Sequence, residues 1–139
     1  DENLNLLTNK SKDFSKLFDE LNLSNFKENK NQILGAGGIN LSSGQKQKFN
    51  FIRAYLKEAE ILILDEPTSN LDYESQNILK NYLNEIKGTK TVIVITHTAS
   101  ILSICENIVV IENGKLVQSG TPSEVKNKSG YFRDMVNGE

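Results

Sequence analysis

Ile61-Leu62-Ile63-Leu64-Asp65-Glu66-Pro67 is the stretch on which the reading of this chain turns. Four consecutive aliphatic residues ahead of a carboxylate pair predict a strand buried on both faces. Two adjacent acids at its end belong at the strand's carboxyl terminus, where open α/β sheets bind their ligands. Pro67 stops the strand, because it has no N–H to give a ladder. The plainer alternative is an ordinary strand running into a solvated acidic turn, and the flanking sequence argues against it.

Downstream, Thr68-Ser69-Asn70-Leu71-Asp72 is a loop by composition. Ile78, Leu79, Tyr82, Leu83 and Ile86 then line one face of a helix that Gly88 ends. Thr91 to Ile95 is a second apolar strand, followed by Thr96 and His97, the only histidine, at the same strand-end position as the acids. A short helix around Ser100 to Ile104 leads to a third apolar strand, Ile108 to Ile111. Glu112-Asn113-Gly114-Lys115 turns that strand back into Leu116 and Val117 as a hairpin. Thr121-Pro122-Ser123-Glu124 is a capping box with proline at the first helical position. The tail helix it opens carries Val125, Phe132, Met135 and Val136. Strands alternating with helices imply a parallel sheet.

Upstream, Leu41-Ser42-Ser43-Gly44-Gln45 opens a helix on which Phe49, Ile52 and Leu56 share a face and Phe51 and Tyr55 form an i, i+4 pair. Ser42 and Ser43 stand where N-caps stand. A helix that begins with small polar residues offers free backbone N–H groups and a positive dipole end, which suits phosphate; a plain Ser-capped helix has the same spacing. Gly35-Ala36-Gly37-Gly38 is a loop. Phe14, Leu17, Phe18 and Leu21 fall on one face of an earlier helix, begun by Ser11 and Asp13, and Leu23 and Phe26 extend its apolar patch.

With 139 residues the chain is long enough to bury a core. A net charge of −2 without a basic excess argues against a nucleic-acid binder. The single Cys105 cannot form an internal disulfide and suits a reducing compartment. Nothing approaches the roughly 20 apolar residues of a membrane span. The chain starts at Asp1 and its one methionine is Met135, which leads us to expect a piece of a longer protein.

Taken together, these motifs resemble the ATP-binding cassette (ABC) ATPases. Leu41 to Gln45 is similar to the family's signature, with Ser43 where glycine is usual. Ile61 to Glu66 resembles the Walker B strand and the glutamate after it, Ser69-Asn70-Leu71-Asp72 the D-loop, and His97 the switch histidine. Gly120 to Val125, continuing to Gly130-Tyr131-Phe132, resembles the ends of exporter-type cassettes. The resemblance implies an α/β fold: an incomplete P-loop NTPase-type parallel sheet with flanking helices and part of the α-helical signature subdomain. Residues 1–57 would be the signature subdomain and 58–139 the carboxyl-terminal part of the ATPase core.

No G-x-x-x-x-G-K-[ST] phosphate loop occurs in these residues, and the family's Q-loop and adenine-stacking aromatic are missing too. The chain by itself is therefore expected to be inactive. For the intact protein the resemblance implies ATP and Mg²⁺ as ligands. Asp65 would hold the metal, Glu66 would polarise the attacking water, and His97 would contact the γ-phosphate. Ser42, Ser43, Gly44 and Gln45 would close over nucleotide held by a second cassette, and Asp72 would transmit across that dimer. Partners would be that second nucleotide-binding domain and an exporter's transmembrane domain, at the cytoplasmic face of the cell membrane, with no nucleic acid. Gly35-Ala36-Gly37 stands where exporters often carry an acid that meets the transmembrane part. Arg53 reads as an internal ion-pair partner. Two other readings are a non-catalytic dimerisation module, against which intact Glu66 and His97 argue, and a soluble cassette acting on nucleic acid, which the exporter-like tail disfavours.

Overall fold

The computed structural model describes residues 11–24, 26, 41–57 and 59–127. They pack as two units, one ending at Ile95 and one beginning at Thr96. The glycine cluster Gly35-Ala36-Gly37-Gly38, the tail residues Phe132, Met135 and Val136, and the side chains of Ser11, Asp13 and Phe14 lie outside the described residues.

The first unit runs α1 (Ser11–Glu20), α2 (Ser43–Leu56), β1 (Ile61–Asp65), α3 (Tyr73–Glu85) and β2 (Thr91–Ile95). Leu17, Phe18 and Leu21 on α1 are buried, as are Leu23 beyond it and Phe49, Phe51 and Ile52 on α2. Phe49 is the hinge of this packing, since Phe18 and Phe26 both meet it edge-on with ring centroids 5.4 Å away. That is the geometry aromatic quadrupoles prefer. Tyr82 on α3 stacks edge-on to Tyr55 at 4.9 Å and donates its hydroxyl to Glu20 Oε2 at 2.7 Å. Burial, and then the Glu20 carboxylate, push the Tyr82 phenol well above its ordinary pKa, so it remains a donor across the physiological range. After α3 the chain turns at Gly88, whose φ of 75° is left-handed, as a glycine stop requires.

β1 and β2 pair in parallel, from Ile61 opposite Thr91 to Asp65 opposite Ile95. Their burial differs from the two-sided burial that the run of aliphatics predicts. Leu62 and Leu64 are covered, but Ile61 and Ile63 are 59% and 64% exposed, and Ile93 opposite Ile63 and Ile95 opposite Asp65 are exposed too. An unbroken aliphatic run shows that both faces of a strand are apolar; it does not show that both are covered. By the two-residue period of a strand, Asp65 falls on the open face with Ile61 and Ile63.

The second unit holds α4 (Ala99–Leu102), β3 (Ile108–Glu112), β4 (Lys115–Gly120) and α5 (Pro122–Asn127). β3 pairs antiparallel with β4, in a sheet separate from β1 and β2. Asn113 and Gly114 both take positive φ, 50° and 72°, so the hairpin closes through the turn that Asn-Gly favours. A register shift after Val110 kinks β4. The capping box forms as its sequence predicts: Thr121 N–H donates to Glu124 Oε2 at 2.8 Å, and Glu124 N–H to Thr121 Oγ1 at 3.3 Å. Val125 then packs with Ile108 against Leu102, Cys105 and Val110. The helix expected around Ser100 to Ile104 is a single turn.

Candidate functional site

Ser42 caps α2 from an extended backbone. Its Oγ accepts from Gln45 N–H at 3.2 Å, and Gln45 Oε1 accepts from Ser42 N–H at 2.9 Å. This reciprocal box fixes the first turn and uses part of the side chains of Ser42 and Gln45 to do it. Because the Ser42 oxygen accepts in the cap, its O–H hydrogen is still a donor. Ser42 and Ser43 are exposed, and the first backbone N–H groups of α2 have no carbonyl within the helix to meet. Such a terminus attracts an anion.

Gly44 is needed here for a close approach. A Cβ at this position would stand 2.7 Å from the Asn70 carbonyl oxygen, so α2 and the turn after β1 touch only because residue 44 has no side chain. Gly44→Ala is expected to destabilise the fold by about 1–3 kcal/mol, as overpacking does. Urea unfolding measures it, and an unchanged midpoint would show that the contact imposes no constraint.

Glu66 follows β1 with a φ of 43°, an unusual value for a residue other than glycine or asparagine. Its N–H donates to Ile95 C=O at 2.8 Å, which extends the parallel ladder by one rung. Its carbonyl accepts from Ser69 N–H at 3.3 Å, from Ser69 Oγ at 3.2 Å, and from Gln47 Nε2 on α2. Asp65 is exposed and Glu66 half-buried, so the two carboxylates sit in different surroundings.

Asp72 caps α3. Its Oδ1 accepts from Ser75 N–H at 2.8 Å and its Oδ2 from Ser75 Oγ at 3.0 Å, and Lys48 Nζ of α2 lies 3.4 Å from the same Oδ2. The Ser75 N–H, with help from the Ser75 hydroxyl and Lys48, holds its carboxyl below the usual carboxylate range against the opposing effect of burial. Lys48 also donates to Leu21 C=O at 3.1 Å, joining the segment after α1 to the α3 cap. Arg53 is exposed, and among the described residues the ion pair that ties α2 inward is made by Lys48 instead.

The first unit thus gathers Ser42, Ser43, Gly44 and Gln45 at one end of α2, against the turn that carries Glu66 and leads to Asp72, with Asp65 one residue before. His97 lies two residues past β2 in the chain, at the start of the second unit, and is exposed. Gln47 and Lys48 were not singled out by the sequence reading. Both look like solvated positions on a helix, and only their ability to reach partners more than fifteen residues away in the chain makes them matter.

Among the described residues no three His, Cys, Asp or Glu side chains converge into a metal cage. Asp65 and Glu66 do supply hard carboxylate oxygens at a strand end. That donor set fits Mg²⁺, which is commonly held by one or two carboxylates together with water and phosphate oxygens.

The family model described as ABC transporter matches residues 1–69. The ATP-dependent lipid A-core flippase of Acinetobacter baylyi is 42% identical over 112 residues, which is 80% of this chain and 20% of that protein. The mitochondrial potassium channel ATP-binding subunit of Xenopus tropicalis is 39% identical over 114 residues, 82% of this chain and 17% of that one. A bacterial Atm1-family ABC exporter solved with ATP bound shares the fold at a TM-score of 0.74 and 23% identity, over 91% of this chain and 23% of its own. The chain spans about a fifth of the length of the curated relatives it matches. Its fold is that of part of an ABC-type ATPase domain, mixed α/β with a small parallel sheet. The chain belongs to the ABC transporter family.

Proposed function

We propose that this chain is the carboxyl-terminal part of the ATP-hydrolysing nucleotide-binding domain of an ABC exporter, working at the cytoplasmic face of the cell membrane. Residues 1–57 belong to the signature subdomain and 58–139 to the ATPase core. The observation that carries this reading is the contact between the capped N-terminus of α2 and the turn bearing Glu66, closed at Gly44 against Asn70. It puts an anion-attracting helix end and a strand-end carboxylate pair on one scaffold.

Asp65, with water and phosphate oxygens, would hold Mg²⁺, which when bound offsets charge on the phosphates. Glu66 accepts a proton from the water that attacks the γ-phosphorus, as the bond to the β-phosphate oxygen breaks and ADP leaves. His97 orients that water and contacts the γ-phosphate. Ser42, Ser43, Gly44 and Gln45 donate from the α2 terminus to nucleotide held by a second cassette, and Asp72 lies on the path between the two sites. The second cassette and a transmembrane domain are the partners. A net charge of −2 supports the expectation that nucleic acid is not one.

Calorimetric titration with Mg-ATP tests the reading. The 139-residue chain contains no phosphate-loop sequence, so by itself it is expected to bind ATP weakly and release no phosphate, while the complete transporter turns ATP over. Micromolar affinity for the isolated chain, or a complete transporter without ATPase activity, would overturn it.

A further inference from the structure

Three described residues other than glycine have positive φ: Asn22, Asn113 and Glu66. Asparagine visits this region readily; glutamate does not. A residue stays in such a conformation only where its surroundings over-determine it. For Glu66 the sheet fixes one side, through the N–H bond to Ile95, and three donors fix its carbonyl on the other. Two of those donors belong to Ser69 and come from the turn itself. The third, Gln47 Nε2, comes from α2 and is the long-range one.

The same Gln47 amide reaches further. Nε2 also donates to Ser69 Oγ at 3.3 Å, while Oε1 accepts from Asn70 N–H at 3.1 Å and from Asn70 Nδ2 at 3.1 Å. A glutamine amide has two N–H hydrogens and two oxygen lone pairs, and all four are engaged. The backbone carbonyl on one side and the backbone N–H on the other fix which way round the amide lies. Glutamate could not donate to the carbonyl while ionised, and lysine could not accept from Asn70.

We propose that Gln47 is a positioning residue for ATP hydrolysis, whose amide sets the backbone of Glu66 and locks the turn that carries it to the N-terminal half of α2. The proposal rests on the reading of Glu66 as the base. It adds that the carboxylate's aim is set from α2, so removing the amide lets the strand-end turn relax without touching nucleotide or metal.

The test is made in the complete transporter. Gln47→Met keeps length and loses all four hydrogen bonds. It is expected to lower kcat on the order of 10²-fold, as a misplaced catalytic group does, with the KM for ATP nearly unchanged. Gln47→Glu supplies a finer readout, because its protonated form regains one O–H donor and one acceptor, whereas its carboxylate opposes the Glu66 carbonyl. The ratio of its kcat to wild type should therefore rise as the pH falls through the pKa of the new carboxyl. If Gln47→Met turns over ATP at the wild-type kcat, or changes KM alone, while Glu66→Gln is inactive, the inference about Gln47 falls by itself. If Glu66→Gln keeps its turnover, the base assignment falls and takes this inference with it. Should Gln47→Met fail to fold, the Gln47→Glu ratio decides, and a ratio independent of pH overturns the proposal.

Discussion

Glu66→Gln in the complete transporter is expected to lower ATP turnover by about 10² to 10⁴, the usual worth of a general base, while nucleotide binding survives. Glutamine matches glutamate in size and can still hydrogen-bond water, but it has no negative charge with which to take a proton. Removing that charge also relieves repulsion with the γ-phosphate. The structure adds a reason to expect a clean result. The bonds that hold residue 66 to Ile95, Ser69 and Gln47 run through its own backbone, so they do not depend on the side chain it carries. With cleavage blocked, ATP stays between the two cassettes and the variant accumulates as an ATP-dependent dimer. Asp65→Asn should differ, since weakening the Mg²⁺ site lowers occupancy as well. A phosphate-release assay beside size-exclusion chromatography with and without ATP separates the two. Near-normal turnover in Glu66→Gln would reduce the carboxylate pair to a metal site.

Ser42→Asp is the second substitution with a large expected effect. Ser42 has two jobs in the proposed reading: capping α2, which the structure shows, and donating to the partner cassette's nucleotide. Ser42→Arg would disturb both, because losing a cap typically costs about 0.5–2 kcal/mol by itself. Aspartate caps as well as serine and suits the positive helix end, so the fold should keep its urea midpoint. Its carboxylate, however, faces phosphate with a negative charge and no hydrogen to give. Hydrolysis should be abolished, and ATP binding to the separated cassettes should be unaffected. Weakened binding to a single cassette would place Ser42 in the wrong site.

What could be read from the sequence was mostly local. The Phe18 face of α1, the Asn113-Gly114 turn, the serine cap of α2, which falls to Ser42, and the Thr121–Glu124 box each depend on residues within four positions of one another, and the structure forms all of them. The carboxylate pair after an apolar strand was legible for the same reason. The open face of β1 was not, because Ile61 and Ile63 are as aliphatic as the covered Leu62 and Leu64. Gln47 and Lys48 were not legible either. Their partners lie at Asn70 and Asp72, on the far side of a strand, and a glutamine or lysine on a helix gives no sign of which distant backbone it will meet.

The alternation along β1 has a consequence for how the segment can vary. Covered and open positions are filled by nearly interchangeable aliphatics, so exchanges among Ile, Leu and Val are the changes it absorbs most easily. A single-residue insertion or deletion between Ile61 and Leu64 is a different event. It would turn Asp65 from the open side to the packed side, where a carboxylate would meet the core instead of solvent. The stretch is therefore permissive in spelling and strict in length: drift can rewrite its letters, but not their number.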